Sequence, residues 1–177
     1  MIRRLLVPLD GSRFAERALL IAGNLAESVS GELVLVRVVP PPVPGRFYGP
    51  NLLDQLQEAQ RKEATAYLAA TAARLKLDRL VVETHVLLGP AAETIARLAV
   101  DSRCDLIVMS LHGLAGAGWR VFGSVAQKVL HTAPCPILIV RPTDAELEGE
   151  EEEEELMADD ALLHELAESG RTEPGAG

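Results

Sequence analysis

The chain has 177 residues, 48% of them hydrophobic and only 3% aromatic, so any core is aliphatic. That length fits one domain plus an appendage, and the composition favours a parallel sheet covered by helices over an aromatic-rich β-sandwich. The net charge of −9 is unevenly spread: residues 1–142 carry 16 Lys/Arg against 12 Asp/Glu, and residues 143–177 carry one Arg against 14 acids, a mildly basic body with a strongly acidic tail.

Short apolar runs alternate with longer helical patterns along the chain. "RRLLVPLD" (3–10) reads as a buried strand, and its apolar run ends at Asp10, too short for a signal peptide. Residues 12–30 place apolar side chains at 14, 18, 21, 22, 25 and 29, a helical period. Gly31 is positioned to end that helix, and "ELVLVRVV" (32–39) is a second strand. A Pro-rich loop leads to a long helical pattern at 51–76, then a third strand, "RLVVETHVL" (79–87). Residues 89–102 form the next helix, with Pro90 expected at its first helical position. "CDLIVMS" (104–110) is a fourth strand, followed by a glycine-rich loop, a helix at 124–132 and a fifth strand, "CPILIVRP" (135–142).

Strand–helix alternation with fully apolar strands predicts an α/β fold with a parallel sheet and helices on both faces. Such sheets bind ligands at the carboxyl ends of their strands, where the strand order reverses. Two carboxyl ends carry distinctive chemistry: "PLDGS" after the first strand and the glycine loop after the fourth. Four of the chain's 14 glycines fall between Gly113 and Gly123, a stretch that also holds the sole tryptophan, Trp119. Bare backbone is useful where a ligand must approach closely.

The loop resembles the nucleotide-binding motif of the universal stress protein family: Gly, two residues, Gly, nine residues, then Gly-Ser or Gly-Thr. Here it runs from Ser110, which stands in place of the first glycine, through Gly113 to Gly123-Ser124. "LLVPLDGS" and "HTAPCPILIVRP" extend the resemblance over residues 1–142. It implies a Rossmann-like open five-stranded parallel sheet in the order 3-2-1-4-5. It implies ATP as the ligand, with Mg carried by the phosphates rather than by protein side chains. Gly113, Gly123, Ser124 and the Val125 amide would meet the phosphates. Asp10 would lie by the adenosine and the Val38 backbone by the adenine, with Pro8, Leu9, Met109, Ser110 and His112 around them. The resemblance further implies a homodimer through the fifth strand, Pro136 to Val140, whose apolar edge would otherwise be exposed.

Plainer roles stand beside these. "SVAQ" is also a capping box in which Ser124 caps a helix and Gln127 reaches back. Asp10 and Ser12 together suit the cap of the first helix. Gly116 and Gly118 suit a loop needing positive φ, His112 a loop histidine and His85 a core or edge one. Cys104 and Cys135 lack metal-ligand spacing and read as reduced thiols within apolar runs.

A GxxxxGK[ST] phosphate loop is absent, and Arg120 is the glycine loop's one cation. With no general base or nucleophile grouped beside the loop, binding with little or no turnover is expected. A family member that has lost the nucleotide and acts through an unidentified protein partner is the alternative, favoured by Ser110. No apolar run is long enough to span a bilayer, and a cytoplasmic protein that binds neither membrane nor nucleic acid is expected. Six consecutive glutamates, Glu150 to Glu155, predict a solvated linker in the tail, 143–177. Beyond them Leu156, Met157, Leu163 and Leu166 suit a short amphipathic helix. The tail reads either as a solubilising terminus or as an acidic competitor for the body's positive field.

Overall fold

The computed structural model describes residues 1–41, 50–77, 80–111 and 123–141. His112, Gly113, Gly116, Gly118, Trp119, Arg120 and the whole tail lie outside these residues. Nine elements alternate along the described chain: β1 (Arg4–Pro8), α1 (Arg13–Val29), β2 (Glu32–Val39), α2 (Pro50–Leu77), β3 (Val81–Leu88), α3 (Ala91–Asp101), β4 (Leu106–Ser110), α4 (Ser124–Thr132) and β5 (Ile137–Val140). All strand pairs are parallel, and the sheet order is β3-β2-β1-β4-β5, as the alternation and the resemblance together predict.

The pleat sorts each apolar strand into two cores. Leu5 and Val7 of β1, Leu33 and Leu35 of β2 and Val108 of β4 face α1 and α2, where they meet Ala18, Leu19, Ala22 and Leu68. Leu6, Val34, Val36, Ile107 and Met109 face the other way, against Ile95 and Leu98 of α3 and Val129 of α4. Full burial of one such aliphatic side chain stabilises by about 1.5–3 kcal/mol. Having both faces covered explains why these strands read as continuous apolar runs rather than alternating ones.

Several local expectations need correction. β1 begins at Arg4 and ends at Pro8, shorter than 3–10, and β4 begins at Leu106 because the Cys104 amide still closes the end of α3 by bonding the Ala99 carbonyl at 2.9 Å. Pro90 is the N-cap of α3, not its first helical residue: its backbone is extended and its carbonyl receives the first helical bond, from Thr94 at 3.0 Å. Either position suits a residue with no N–H. The left-handed position ending α1 is filled by Ser30, with φ 51°, not by Gly31.

Gly31 is needed for space. A Cβ there would lie 2.7 Å from the Arg3 carbonyl oxygen, the same oxygen that accepts the Glu32 amide at 2.7 Å as β2 joins β1. Among the described residues, no helix is long and apolar enough to cross a membrane. We expect Gly31→Ala to push β1 from β2 at this point and cost about 1–3 kcal/mol. A urea midpoint lowered at unchanged slope is the reading that checks it.

Candidate functional site

β1 is followed along the chain by β2 and β3 on one side, whereas β4 returns to its other side, so the strand order reverses between β1 and β4. At this reversal the chain leaving β1 turns sharply. The Leu9 amide still bonds the Val36 carbonyl at 2.8 Å, but Asp10, Gly11 and Ser12 form a capping turn. Ser12 is the N-cap of α1, its Oγ accepting the Ala15 amide at 3.1 Å. Its own amide and hydroxyl both donate to Asp10 Oδ1, at 3.0 and 2.6 Å. Asp10 and Ser12 thus cap the helix as a pair, as their spacing suggests. Gly11 takes φ +90°, a conformation that strains any residue with a side chain.

The fourth strand supplies the opposite wall. Ser110 is its last residue, buried and paired with Val140 of β5, while Met109 packs into the core beneath α3 and α4. The Leu111 amide bonds the Val140 carbonyl at 3.0 Å, and the Leu111 carbonyl accepts the Gly123 amide at 3.1 Å. Leu111 and Gly123 therefore meet at one point of the sheet's carboxyl edge. α4 starts directly at that point.

Gly123, rather than Ser124, is the N-cap of α4. The Gln127 amide bonds the Gly123 carbonyl at 2.9 Å, so the capping box expected of "SVAQ" does not form: a box needs the serine one residue earlier in the helix. Ser124 is instead the first helical residue, and it is exposed, as is Val125. The amides of Ser124, Val125 and Ala126 precede the first hydrogen bond of the helix, and such donors attract anions. Val38 lies two residues beyond Val36, the β2 partner of Pro8, and is half-buried at the same edge. Pro8, Leu9, Asp10, Val38, Met109, Ser110, Gly123, Ser124 and Val125 thus all occupy the carboxyl edges of β1, β2 and β4 or the start of α4.

A family model described as the universal stress protein family matches residues 1–141. The chain belongs to that family. It is 34% identical over 144 residues to the Thermus aquaticus "Universal stress protein in QAH/OAS sulfhydrylase 3'region", covering 80% of this chain and 100% of the relative. The universal stress protein UspA from Lactobacillus plantarum shares its fold with a TM-score of 0.70 at 26% identity, over 78% of this chain and 97% of that one. The universal stress protein from Archaeoglobus fulgidus in complex with dAMP has a TM-score of 0.55 at 21% identity, over 80% and 98% of the two chains.

Residues away from this edge have structural partners. His85 lies on the edge strand β3, half-buried, with Nε2 2.7 Å from Glu83. Arg4 pairs with Glu32 at 2.9 Å and with Glu83, tying three strands at the amino edge. Among the described residues, no group of three or more His, Cys, Asp or Glu side chains is arranged to hold a metal. Both cysteines are free thiols, Cys104 buried and Cys135 half-buried. One site neighbour escaped the sequence reading. Arg37, on β2, directs its guanidinium at Gly11, and the available signal was a lone charge inside the apolar run "LVLVRVV".

Burial pushes the Cys104 thiol from 9.0 up to about 11, so it is protonated and weakly nucleophilic at neutral pH. The folded chain then holds that proton more tightly than the unfolded chain. The associated stability is complete below about pH 9 and is lost as pH rises through about 11. We expect Cys104→Ala to flatten the fall in stability across that interval, by up to about 2–3 kcal/mol. Parallel urea titrations of the two proteins at stepped pH test it.

Proposed function

We propose that this chain is a binding module for an adenine nucleotide, ATP with its Mg, held at the carboxyl edge between β1 and β4. The observation that carries the reading is the closed base of the glycine loop. Leu111 and Gly123 are bonded at 3.1 Å, so the unpaired amides at the start of α4 and the Ser124 hydroxyl lie beside the carboxyl end of β4. Ser124 is exposed and Gly123 is the N-cap, so that hydroxyl is not spent on capping. The amides of Ser124 and Val125, the Gly113 and Gly123 backbone and that hydroxyl would hold the phosphates. Asp10, Pro8, Leu9 and the Val38 backbone would line the nucleoside end, with Met109, Ser110 and His112 between. Mg would be carried by phosphate oxygens. The dAMP complex of the A. fulgidus protein shows that this fold accommodates an adenine nucleotide elsewhere.

Binding rather than turnover is the proposed activity, because the described edge offers a capping carboxylate and backbone donors but no paired base and nucleophile. The setting proposed is the cytoplasm, as a stress-response or signalling module with a protein partner. Ser110 favours the competing reading, a member without nucleotide that acts by protein contact alone. Its side chain, however, is buried at the strand end rather than exposed on the loop.

Gly123→Val decides between them. Gly123 has φ −55° and ψ 143°, a conformation valine adopts, so the fold should persist while a branched side chain crowds the phosphates. ATP affinity is expected to fall at least about tenfold, or 1.4 kcal/mol. Trp119 emission should change saturably with Mg-ATP in the natural chain and not in the variant. Undiminished calorimetric binding by Gly123→Val would remove the phosphate assignment.

We also propose pairing of β5 with its counterpart in a second copy, from Pro136 to Val140. β5 is an edge strand, and Leu138 is 37% exposed on it. Sedimentation should give twice the 19.0 kDa chain mass at micromolar concentration, and Leu138→Glu should shift the mass toward one chain. A natural chain sedimenting as a monomer would contradict the pairing.

A further inference from the structure

The turn that carries Asp10 is braced from outside the site. Gly11 sits with φ +90°, and the open side of its Cα faces Arg37: a Cβ there would lie 2.8 Å from Nη1 and 3.6 Å from Cζ. A charged side chain inside an apolar strand is costly unless it is paired, and Arg37 is only 18% exposed. Its guanidinium is held on two further sides by α2. Nη2 pairs with Glu63 at 3.1 Å, and Cζ lies 5.1 Å from the centroid of the Tyr67 ring, a cation–π distance. Tyr67 in turn donates its hydroxyl to Glu16, in the first turn of α1, and Arg74 reaches the same carboxylate at 3.1 Å. Burial and the Glu16 carboxylate both push the Tyr67 phenol upward, so it remains the donor in this bond.

We infer that Arg37 is a positioning residue: fixed between Glu63 and the Tyr67 ring, its guanidinium packs against the Gly11 backbone and holds the Asp10–Ser12 turn in its capping geometry. The planar, delocalised group suits this work, since it can pair at one edge and stack on a ring at the same time. Without it, the left-handed Gly11 has a void beside it and a wide conformational choice. The carboxylate of Asp10 would then no longer be presented in one orientation. Its bearing on ligand binding rests on the nucleotide reading above; the bracing itself does not.

Two amides report the turn directly: Ser12, bonded to Asp10 Oδ1, and Ala15, bonded to Ser12 Oγ. In the full chain without nucleotide, Arg37→Ala should speed hydrogen exchange at both amides at least about tenfold, while Ile95 and Leu98 of α3 stay near their original rates. Glu63→Gln, at a largely exposed partner, keeps the fold intact and should speed the same two amides by a smaller factor. Tyr67→Phe keeps the ring and should leave them slower than Arg37→Ala does. Unchanged exchange at Ser12 and Ala15 in Arg37→Ala, or an increase matched by Ile95 and Leu98, would overturn the inference.

A calorimetric cycle with Mg-ATP then reads the consequence. Arg37→Ala should weaken binding at least about tenfold, and Asp10→Ala/Arg37→Ala should bind no more weakly than Asp10→Ala alone, the mark of action through Asp10. A loss in the double variant equal to the product of the single losses would exclude that route. If the natural chain binds no ATP, the nucleotide reading fails, and the exchange data by themselves decide whether Arg37 holds the turn.

Discussion

The pairing of β1 on both of its edges is the constraint on which the rest depends. Leu5, Leu6 and Val7 have no exposed surface, and the strand bonds β2 on one side and β4 on the other. Because β2 follows β1 in the chain while β4 arrives after two further crossovers, their helices must cover opposite faces. α1 and α2 take one face, and α3 and α4 the other. The reversal of strand order between β1 and β4 is a consequence of this routing. The residues that end β1 and β4 come together at it whatever their chemistry, and in sequence this chain follows one strand with Asp10 and the other with a glycine-rich segment.

The described edge is rich in donors that belong to the backbone. The first turn of α4 offers amides that no helical carbonyl can reach, and the residue before it is a glycine that caps without a side chain. Such donors are fixed by the helix itself and lose little conformational entropy on meeting an anion. A lysine in the loop would supply more charge on a longer, more mobile stem. After β1, Ser12 and Asp10 satisfy each other and the start of α1, so the turn is ordered by local bonds and then braced by Arg37 of β2, which Glu63 and Tyr67 of α2 hold.

The two edges of the sheet solve the problem of unpaired strands differently. β3 places Glu83 on its outer part, hydrogen-bonded to His85 and reached by Arg4, and a charged side chain of this kind discourages pairing with another chain. β5 has no charged residue between Ile137 and Val140 and keeps Leu138 partly exposed.

The strand–helix alternation, the two buried faces and the family were all legible in the sequence, because apolar runs and the Ser110–Gly113–Gly123–Ser124 spacing are local properties of the chain. The edge at which Asp10, Val38, Ser110 and Gly123 gather was also legible, since parallel strands all end on the same side. Local rules alone could not fix which of two adjacent residues performs a terminal role. Pro90 and Gly123 became N-caps, and Ser30 took the left-handed position, because each boundary is set by where the helix docks on the sheet. Gly31 looked like a helix terminator and proved to be a spacer for the Arg3 carbonyl, a neighbour 28 positions away in sequence that only the β1–β2 register brings close. The same holds for Arg37. Its contacts come from the Gly11 turn and from Glu63 and Tyr67 on α2, which meet only once β2 has been placed beside β1 and α2 has folded back across them.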